Sequence, residues 1–125
     1  MFGDVVDTEM KLNDAGRIVA EEWQRSAVIR AEIELDEWVV MPNHVHALVC
    51  LTARARQASP LRLGDVIGAF KSGSAREING LRGRRKVWQR GYHDHVVRDE
   101  SDLERVRAYI AGNPATWDTD PENVM

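Results

Sequence analysis

Apolar residues recur at helical spacing in three stretches of the chain, and each stretch predicts a helix with one buried face. The helices are expected over residues 14–29, Leu63–Ile78 and Glu100–Gly112. The side chains on the predicted inner faces are Ala15, Ile18, Val19 and Trp23 in the first helix, Leu63, Val66, Ile67 and Phe70 in the second, and Leu103, Val106 and Ile110 in the third. Asn13 is a favourable N-cap for the first helix, and Pro114 ends the third.

Runs rich in β-branched and aromatic residues predict strands between the helices. Ile33–Met41 and His44–Leu51 flank a break at Pro42-Asn43 and are expected to form a hairpin. Asp4–Leu12 alternates weakly and fits either a short strand or a hairpin, and Tyr92–Val97 is expected to be a further strand. Strand pairs interleaved with helices indicate an α+β fold, in which helices pack on one face of an antiparallel sheet.

Chain length and composition predict a single compact domain. With 125 residues, 43% of them hydrophobic, the chain can bury one core but not two. We expect the domain to span residues 1–117 and residues 118–125 to be a C-terminal tail, with fraying from Trp117 onwards. The polar residues 53–60 end in a proline and are expected to be a linker.

The composition also excludes several classes of protein. No stretch approaches the roughly 20 apolar residues of a membrane span, and the N-terminus lacks the pattern of a secretory signal. We therefore expect a cytoplasmic protein. Cys50 is the only cysteine, which excludes a disulfide framework and a thiolate zinc site.

Charge is strongly segregated along the chain, although the formal net charge is only -3. Residues 1–38 hold ten acidic and four basic side chains, whereas residues 53–98 hold eleven basic and three acidic ones. The densest part is the basic segment Leu81–Arg90, where five cations surround one tryptophan, as expected of a surface that binds phosphates and stacks on a base. A solvated loop is the alternative. The residues concerned are Arg82, Arg84, Arg85, Lys86, Arg90 and Trp88.

Two histidines stand one residue apart in the apolar stretch VVMPNHVHALVC, residues 39–50. Because side chains alternate along a strand, His44 and His46 are expected to share one face and Val45 to take the other. Two adjacent imidazoles make a rigid two-point chelate for a metal, although a hydrogen-bonded surface pair has the same spacing. The HDH motif at residues 93–95 repeats the spacing in polar, basic surroundings, which favour a metal site less.

The segment AYIAGNP, residues 108–114, offers a nucleophile and a further metal ligand. Tyr109 and Asn113 are four residues apart and lie on the same side of a helix, within reach of the sheet edge. The alternatives are a tyrosine at the edge of the core and an asparagine that merely precedes a helix-ending proline.

Four motifs in this order resemble the single-tyrosine transposases of the HUH superfamily, and in particular the REP-associated tyrosine transposases. The motifs are PNHVH at residues 42–46, FKS at 70–72, VWQRGYHDHVVRDE at 87–100 and ERVRAYIAGNP at 104–114. The resemblance runs from about Phe2 to Trp117. It implies the ferredoxin-like HUH endonuclease fold.

The resemblance assigns roles to the residues named above. His44 and His46 match the histidine pair of the family and Asn113 its third metal ligand, for an ion that is Mg²⁺ or Mn²⁺. Imidazoles alone would also suit zinc, but an amide ligand and a phosphate substrate favour the harder ions. Tyr109 matches the nucleophile that attacks a DNA phosphodiester and forms a 5′-phosphotyrosine. The phenol must lose its proton to a base, to water or through nearby positive charge, for which Arg105, one turn earlier, is a candidate.

The resemblance also implies the DNA substrate, which in this family is single-stranded DNA folded into hairpins, often REP elements. Lys71, in the FKS motif, is expected to contact phosphate together with the cations of the basic segment. Trp88 is expected to stack on an unpaired base.

The chain begins after the position of the family's first strand, so the resemblance implies that this strand is missing. Asp4–Leu12 fills the gap, or a strand exchanged between two copies fills it, or the chain is a truncated relic. A homodimer with tyrosine helices exchanged between subunits and a monomer are both compatible with the family. Two functions follow: a metal-dependent nicking and strand-transferring enzyme, or a degenerate protein that binds hairpin DNA without cleaving it.

Overall fold

The computed structural model describes residues 1–29, 33–51, 63–83, 85–88, 97 and 99–119. These residues form an α+β fold, as the sequence predicts, with two antiparallel hairpins and three helices. The elements are β1 (Gly3–Val6), β2 (Glu9–Leu12), α1 (Asp14–Ile29), β3 (Ile33–Val40), β4 (Val45–Leu51), α2 (Leu63–Arg82), α3 (Glu100–Ala111) and a 3-10 helix (Pro114–Thr119). The predicted linker at residues 53–60 and all of the predicted strand Tyr92–Val97 except Val97 lie outside the described residues.

The segment from Asp4 to Leu12 is a hairpin of its own. β1 and β2 pair antiparallel, with Val6 opposite Glu9, around a two-residue turn. Asp7 and Thr8 in this turn have positive φ angles of 51° and 65°, as a tight hairpin turn requires. Among the described residues this hairpin is a separate two-stranded sheet. Of the three alternatives for the missing first strand, pairing of Asp4–Leu12 with the histidine hairpin is not seen among the described residues, where β1 and β2 pair only with each other.

β3 and β4 form the predicted second hairpin, and its turn positions the histidines. The Met41 N–H donates to the His44 carbonyl at 2.8 Å and closes the turn around Pro42 and Asn43. His46 then pairs with Val39 in the ladder. The register shifts between Leu35 and Trp38, where two residues of β3 lie opposite one residue of β4.

α1 and α2 pack on each other and form most of the core. The Trp23 ring meets the Phe70 ring edge to face, with centroids 5.2 Å apart. α1 begins as predicted, since the Asn13 side-chain oxygen accepts from the Gly16 N–H at 2.9 Å. α2 continues four residues beyond the predicted end at Ile78. The buried cluster comprises Phe2, Val19, Trp23, Val40, Phe70, Ile78 and Val87.

α3 lies across β3 and β4 and carries the tyrosine. Its N-cap is Asp99, whose side chain accepts from the Asp102 N–H at 2.8 Å. The chain then continues from Pro114 into the 3-10 helix instead of fraying, and Trp117 is buried. The expected frayed tail from Trp117 is therefore wrong up to Thr119, because the indole is buried and lies against the His44 ring. No helix in the described ranges is both long and apolar enough to cross a membrane.

Candidate functional site

The two histidines converge at the start of β4. Their Nε2 atoms lie 2.9 Å apart and their ring planes are nearly perpendicular, with centroids 4.5 Å apart. Both rings are half-buried. The side-by-side arrangement is the one that strand alternation predicts, and it presents the same ring nitrogen of each residue to one point.

Asn43 orients His44 from the neighbouring turn position. Its Oδ1 lies 2.6 Å from Nδ1 of His44. An amide oxygen only accepts hydrogen bonds, so Nδ1 carries the hydrogen and the Nε2 of the neutral ring presents its lone pair. Nε2 of His44 shares a hydrogen bond with Nε2 of His46 at 2.9 Å. Asn43 was not among the residues predicted from the sequence, although its place directly before the histidine pair was the available signal.

Tyr109 on α3 lies beside the histidine pair of the same chain. Its ring meets the His46 ring nearly edge to face, with centroids 5.4 Å apart. The tyrosine is 55% exposed, so substrate can reach its hydroxyl. The two residues come from elements far apart in the sequence, and the packing of α3 on β4 brings them together.

Asn113 lies in the turn after α3, and its environment is unusual. It is 1% exposed, and within the described part of the chain neither polar atom of its amide has a hydrogen-bond partner. Tyr109 and Trp117, four residues before and after it, contact His46 and His44 respectively. Asn113 therefore lies midway in the sequence between the two residues that contact the histidine pair, and its buried amide is unsatisfied.

Trp117 covers His44 from the 3-10 helix. The two rings are 6.1 Å apart and tilted by 32°. This contact was not predicted from the sequence, which indicated a frayed tail from Trp117. A large aromatic residue in an otherwise acidic segment was the signal that it packs on something.

The described residues near the histidine pair offer few metal donors. Among the residues with described positions, no group of three or more His, Cys, Asp or Glu side chains is placed to hold a metal. The described residues that could hold one here are the two imidazoles and the Asn113 amide, whose oxygen is of the kind that hard cations prefer.

Comparison with known proteins agrees with this geometry. The family model described as "Transposase IS200 like" matches residues 11–113, which include the histidine pair, the tyrosine and the asparagine. The chain belongs to the IS200-like transposase family. It is therefore a DNA-processing enzyme of the kind that acts in transposition and recombination.

One curated relative of this IS200-like transposase is an uncharacterized protein from Haemophilus influenzae. It is 30% identical over 136 residues, a match that covers 96% of this chain and 76% of the relative. No solved structure is significantly similar to the chain.

Arg105 of this transposase pairs with a carboxylate on its own helix. Its guanidinium pairs with Asp102, three residues earlier, and the arginine side chain is 73% exposed. Asp102 lies towards the start of α3, whereas Tyr109 lies one turn towards its end. The effect of Arg105 on the phenol proton stays a prediction. The ring that the phenol meets is the imidazole of His46.

The basic segment of the transposase is fastened to the core at three points. The Arg85 N–H donates to the Asn79 side chain at 3.3 Å, Val87 is buried, and the Trp88 indole N–H donates to Ser74 at 3.0 Å. Arg85 and Lys86 are exposed between these points. Both side chains are thus presented to solvent from an anchored backbone.

The other residues predicted to bind DNA have varied positions. Arg82 and Lys71 are half-buried on α2, and the Arg82 Nε is buried without a partner among the described residues. Trp88 is half-buried, with its ring 5.1 Å from Phe2 and 5.4 Å from Phe70. It anchors the segment to the core, and its stacking on DNA stays a prediction. Arg84, Arg90 and the HDH motif lie outside the described residues.

Phe2 connects the basic segment to the histidine turn. Its ring packs on Trp88, while its N–H donates to the Pro42 carbonyl at 2.9 Å, next to Asn43. The Phe2 carbonyl accepts a hydrogen bond from the Asn13 N–H. A Cβ atom at position 16 would lie only 2.1 Å from the Phe2 carbonyl oxygen, so only glycine fits at that position. The site and the cationic segment are therefore parts of one packed unit.

Proposed function

We propose that the protein is a divalent-metal-dependent endonuclease and strand transferase that acts on hairpin-forming single-stranded DNA through a 5′-phosphotyrosine intermediate. The observation that carries the proposal is the meeting of Tyr109 with the convergent pair His44 and His46 in one chain. A nucleophile beside a two-point chelate is the minimum that metal-assisted phosphodiester cleavage requires.

His44, His46 and Asn113 would hold Mg²⁺ or Mn²⁺. The choice of these ions over zinc rests on the donors, because an amide oxygen and a phosphate substrate favour harder cations. When bound, the ion would neutralise the charge that develops on the phosphate oxygens.

The chemistry at Tyr109 is a transesterification. The phenol oxygen forms a bond to phosphorus while the bond from phosphorus to the 3′ oxygen of the preceding nucleotide breaks. The phenol proton leaves, and the 3′ oxygen gains one. The products are a 5′-phosphotyrosine and a free 3′-hydroxyl, and the reverse reaction rejoins DNA without a nucleotide cofactor.

Single-stranded DNA is the substrate that the surface supports. Arg85 and Lys86 present two exposed cations from an anchored backbone, and Phe2 links this backbone to the histidine turn. Lys71, Arg82, Arg84, Arg90 and Trp88 would add contacts to phosphates and bases. Because the tyrosine contacts its own chain's histidine, we propose that a monomer forms a complete site and that a homodimer is not required for cleavage.

The test is the formation of a covalent protein–DNA adduct. The protein is incubated with labelled hairpin-bearing single-stranded DNA and Mn²⁺ and then run on a denaturing gel. We expect a shifted band that Tyr109→Phe abolishes. The chain has one other tyrosine, so Tyr92→Phe is the matched control and should still form the adduct. His44→Ala should bind the DNA without forming an adduct.

Two outcomes would contradict this function. An adduct that survives in Tyr109→Phe would assign the nucleophile elsewhere. Hairpin binding with no adduct in the wild-type protein, at any divalent metal, would favour the non-cleaving DNA-binding protein instead.

A further inference from the structure

A two-point ion pair fastens the tyrosine helix to the neighbouring strand. Arg107 Nε lies 2.8 Å from one carboxylate oxygen of Asp36, and Arg107 Nη2 lies 2.6 Å from the other. The partners are 71 residues apart, so the contact exists only because α3 packs on β3. Two parallel N–H···O bonds from a planar guanidinium fix the orientation of the Arg107 side chain relative to the Asp36 carboxylate, as well as the distance between them.

Asp36 owes its position to the irregularity in β3. Asp36 and Glu37 both lie opposite Leu48, which is the two-to-one arrangement of a β-bulge. The Glu37 N–H donates to Asp36 Oδ1 at 2.7 Å and holds the carboxylate in place. Because the bulge interrupts the alternation of side chains along β3, the Asp36 side chain is directed towards α3.

Arg107 and Tyr109 lie on opposite sides of the buried residue Ile110 on α3. Successive helical residues are about 100° apart, so Arg107 is about 60° to one side of Ile110 and Tyr109 about 100° to the other. The buried residues of the helix are Asp102 and Ile110, and Ile110 is the one that lies between the two flanks. A small rotation of the helix about its axis would move the side chains on both flanks of Ile110, so an ion pair on one flank restrains the position of the phenol on the other.

The size of this effect is large enough to matter for chemistry. The hydroxyl of a helical tyrosine lies roughly 8 Å from the helix axis, so a rotation of about 15° moves it by about 2 Å. A displacement of about 1 Å is enough to cost on the order of 100-fold in rate. The melting temperature should change little, since partly exposed ion pairs contribute little to stability.

We propose that Asp36 and Arg107 are positioning residues that set the rotation of α3 and so align Tyr109 with the histidine pair. The inference rests on the proposed function, because it assigns Tyr109 the role of nucleophile. Its structural part, that the ion pair determines where the Tyr109 ring lies against His46, is separately measurable.

The experiment uses Asp36→Asn, Arg107→Gln and the double variant, with Arg17→Gln as the matched control. Arg17 makes an exposed ion pair with Asp14 on α1, away from the tyrosine helix. Each single variant should nick hairpin DNA about 10- to 100-fold more slowly in single turnover, with DNA affinity within about twofold of wild type. The double variant should be no slower than either single one, because the two residues act as a unit.

A second readout does not depend on cleavage. The ring protons of Tyr109 are followed by NMR and identified by their loss in Tyr109→Phe, with Tyr92→Phe identifying the other tyrosine. Because the Tyr109 ring lies against the His46 ring, rotation of α3 should shift its resonances in Asp36→Asn and Arg107→Gln. They should stay in place in Arg17→Gln.

The outcomes separate this inference from the proposed function. Unchanged Tyr109 resonances in both single variants would overturn the positioning role, as would wild-type nicking rates in them. Tighter DNA binding by Asp36→Asn would also overturn it, since Arg107 would then be a phosphate ligand that Asp36 restrains. If the wild-type protein does not nick, the proposed function fails, and the resonances still decide whether the ion pair places the ring.

Discussion

Asn113 buries an amide that has no hydrogen-bond partner within the described residues. An unsatisfied buried polar group costs about 1–3 kcal/mol, so its presence is explained when the group serves a ligand. We propose that this ligand is a metal at the histidine pair, because Tyr109 and Trp117, four residues before and after Asn113, contact the two histidines.

Replacing Asn113 with leucine, which has a similar volume, separates the stability that the unsatisfied amide costs from the metal binding that we propose for it. We expect Asn113→Leu to stabilise the metal-free protein by about 1 kcal/mol, because it removes an unsatisfied polar group. It should also remove the rise in melting temperature that Mn²⁺ gives the wild type. Thermal unfolding with and without Mn²⁺ measures both effects.

Asn79→Ala is the matched control for this experiment. It removes the acceptor of the Arg85 N–H and should lower stability while leaving the Mn²⁺ effect intact. Equal stabilisation of Asn113→Leu and wild type by Mn²⁺ would rule out Asn113 as a ligand.

At the scale of elements, a pair of carboxyl groups lies where α1 and α2 pack. A hydrogen bond with Glu22 raises the pKa of Glu77, and burial and the repulsion of the Glu22 charge raise it further. Arg25 approaches both, at 3.5 Å from Glu22 and 4.0 Å from Glu77. The pKa of Glu77 in the folded protein therefore lies above its ordinary value of 4.5. The protonated Glu77 carboxyl contributes its full stabilisation of the fold below pH 4.5. This contribution is lost as the pH rises through the raised pKa.

Glu77→Gln should remove this pH dependence. The glutamine amide can still donate to Glu22 but carries no charge to repel it. We expect the variant to match wild type at about pH 4 and to be more stable at about pH 7 by about 0.5 kcal/mol, a modest effect because Glu77 is partly exposed. Urea unfolding at the two pH values measures the difference. Glu21→Gln, on the exposed side of α1, is the control and should leave the free energy of unfolding unchanged at both pH values. If the free energy of unfolding had the same pH dependence in wild type and Glu77→Gln, the interaction between Glu77 and Glu22 would be disproved.

At the scale of the whole molecule, charge is divided between an acidic N-terminal third and a basic middle. Residues 1–38 carry a balance of -6 and residues 53–98 a balance of +8, counted as ten acidic against four basic and eleven basic against three acidic side chains. The basic part of the chain therefore attracts DNA, and the acidic part repels it.

Removing Arg85 and Lys86 together should weaken single-stranded DNA binding and reduce its dependence on salt. Each phosphate contact adds about 0.7 to the slope of log affinity against log salt for single strands, so the double alanine variant should lose about 1.4 from it. Fluorescence anisotropy over a salt series measures the slope. Lys11→Ala, an exposed cation on the acidic hairpin, is the control and should leave it unchanged. An unaltered slope in the double variant would make Arg85 and Lys86 a solvated surface only.

Local pattern was sufficient for the parts of this protein that depend on neighbouring residues. Apolar periodicity and the Asn13 cap predicted α1 at its observed bounds, and strand alternation predicted that His44 and His46 share a face. The end of α2 was placed too early at Ile78, since Gly80 locally indicates a break. The helix in fact ends at Arg82, and Gly83 directly after it has a φ of 88° that only glycine adopts readily.

By itself, the sequence determined the helices, the histidine hairpin, the segregation of charge and, through its motifs, the candidate nucleophile and metal ligands. Only the tertiary structure decided which residues contact each other across the fold. It brings Tyr109 against a histidine of its own chain and Trp117 against His44. The ion pairs Arg105–Asp102 and Arg107–Asp36 were likewise seen only in the structure. The physical reason is range. Hydrogen bonding and side-chain periodicity act between near neighbours and are written in local pattern, whereas contacts across tens of residues depend on how the packed elements lie against one another.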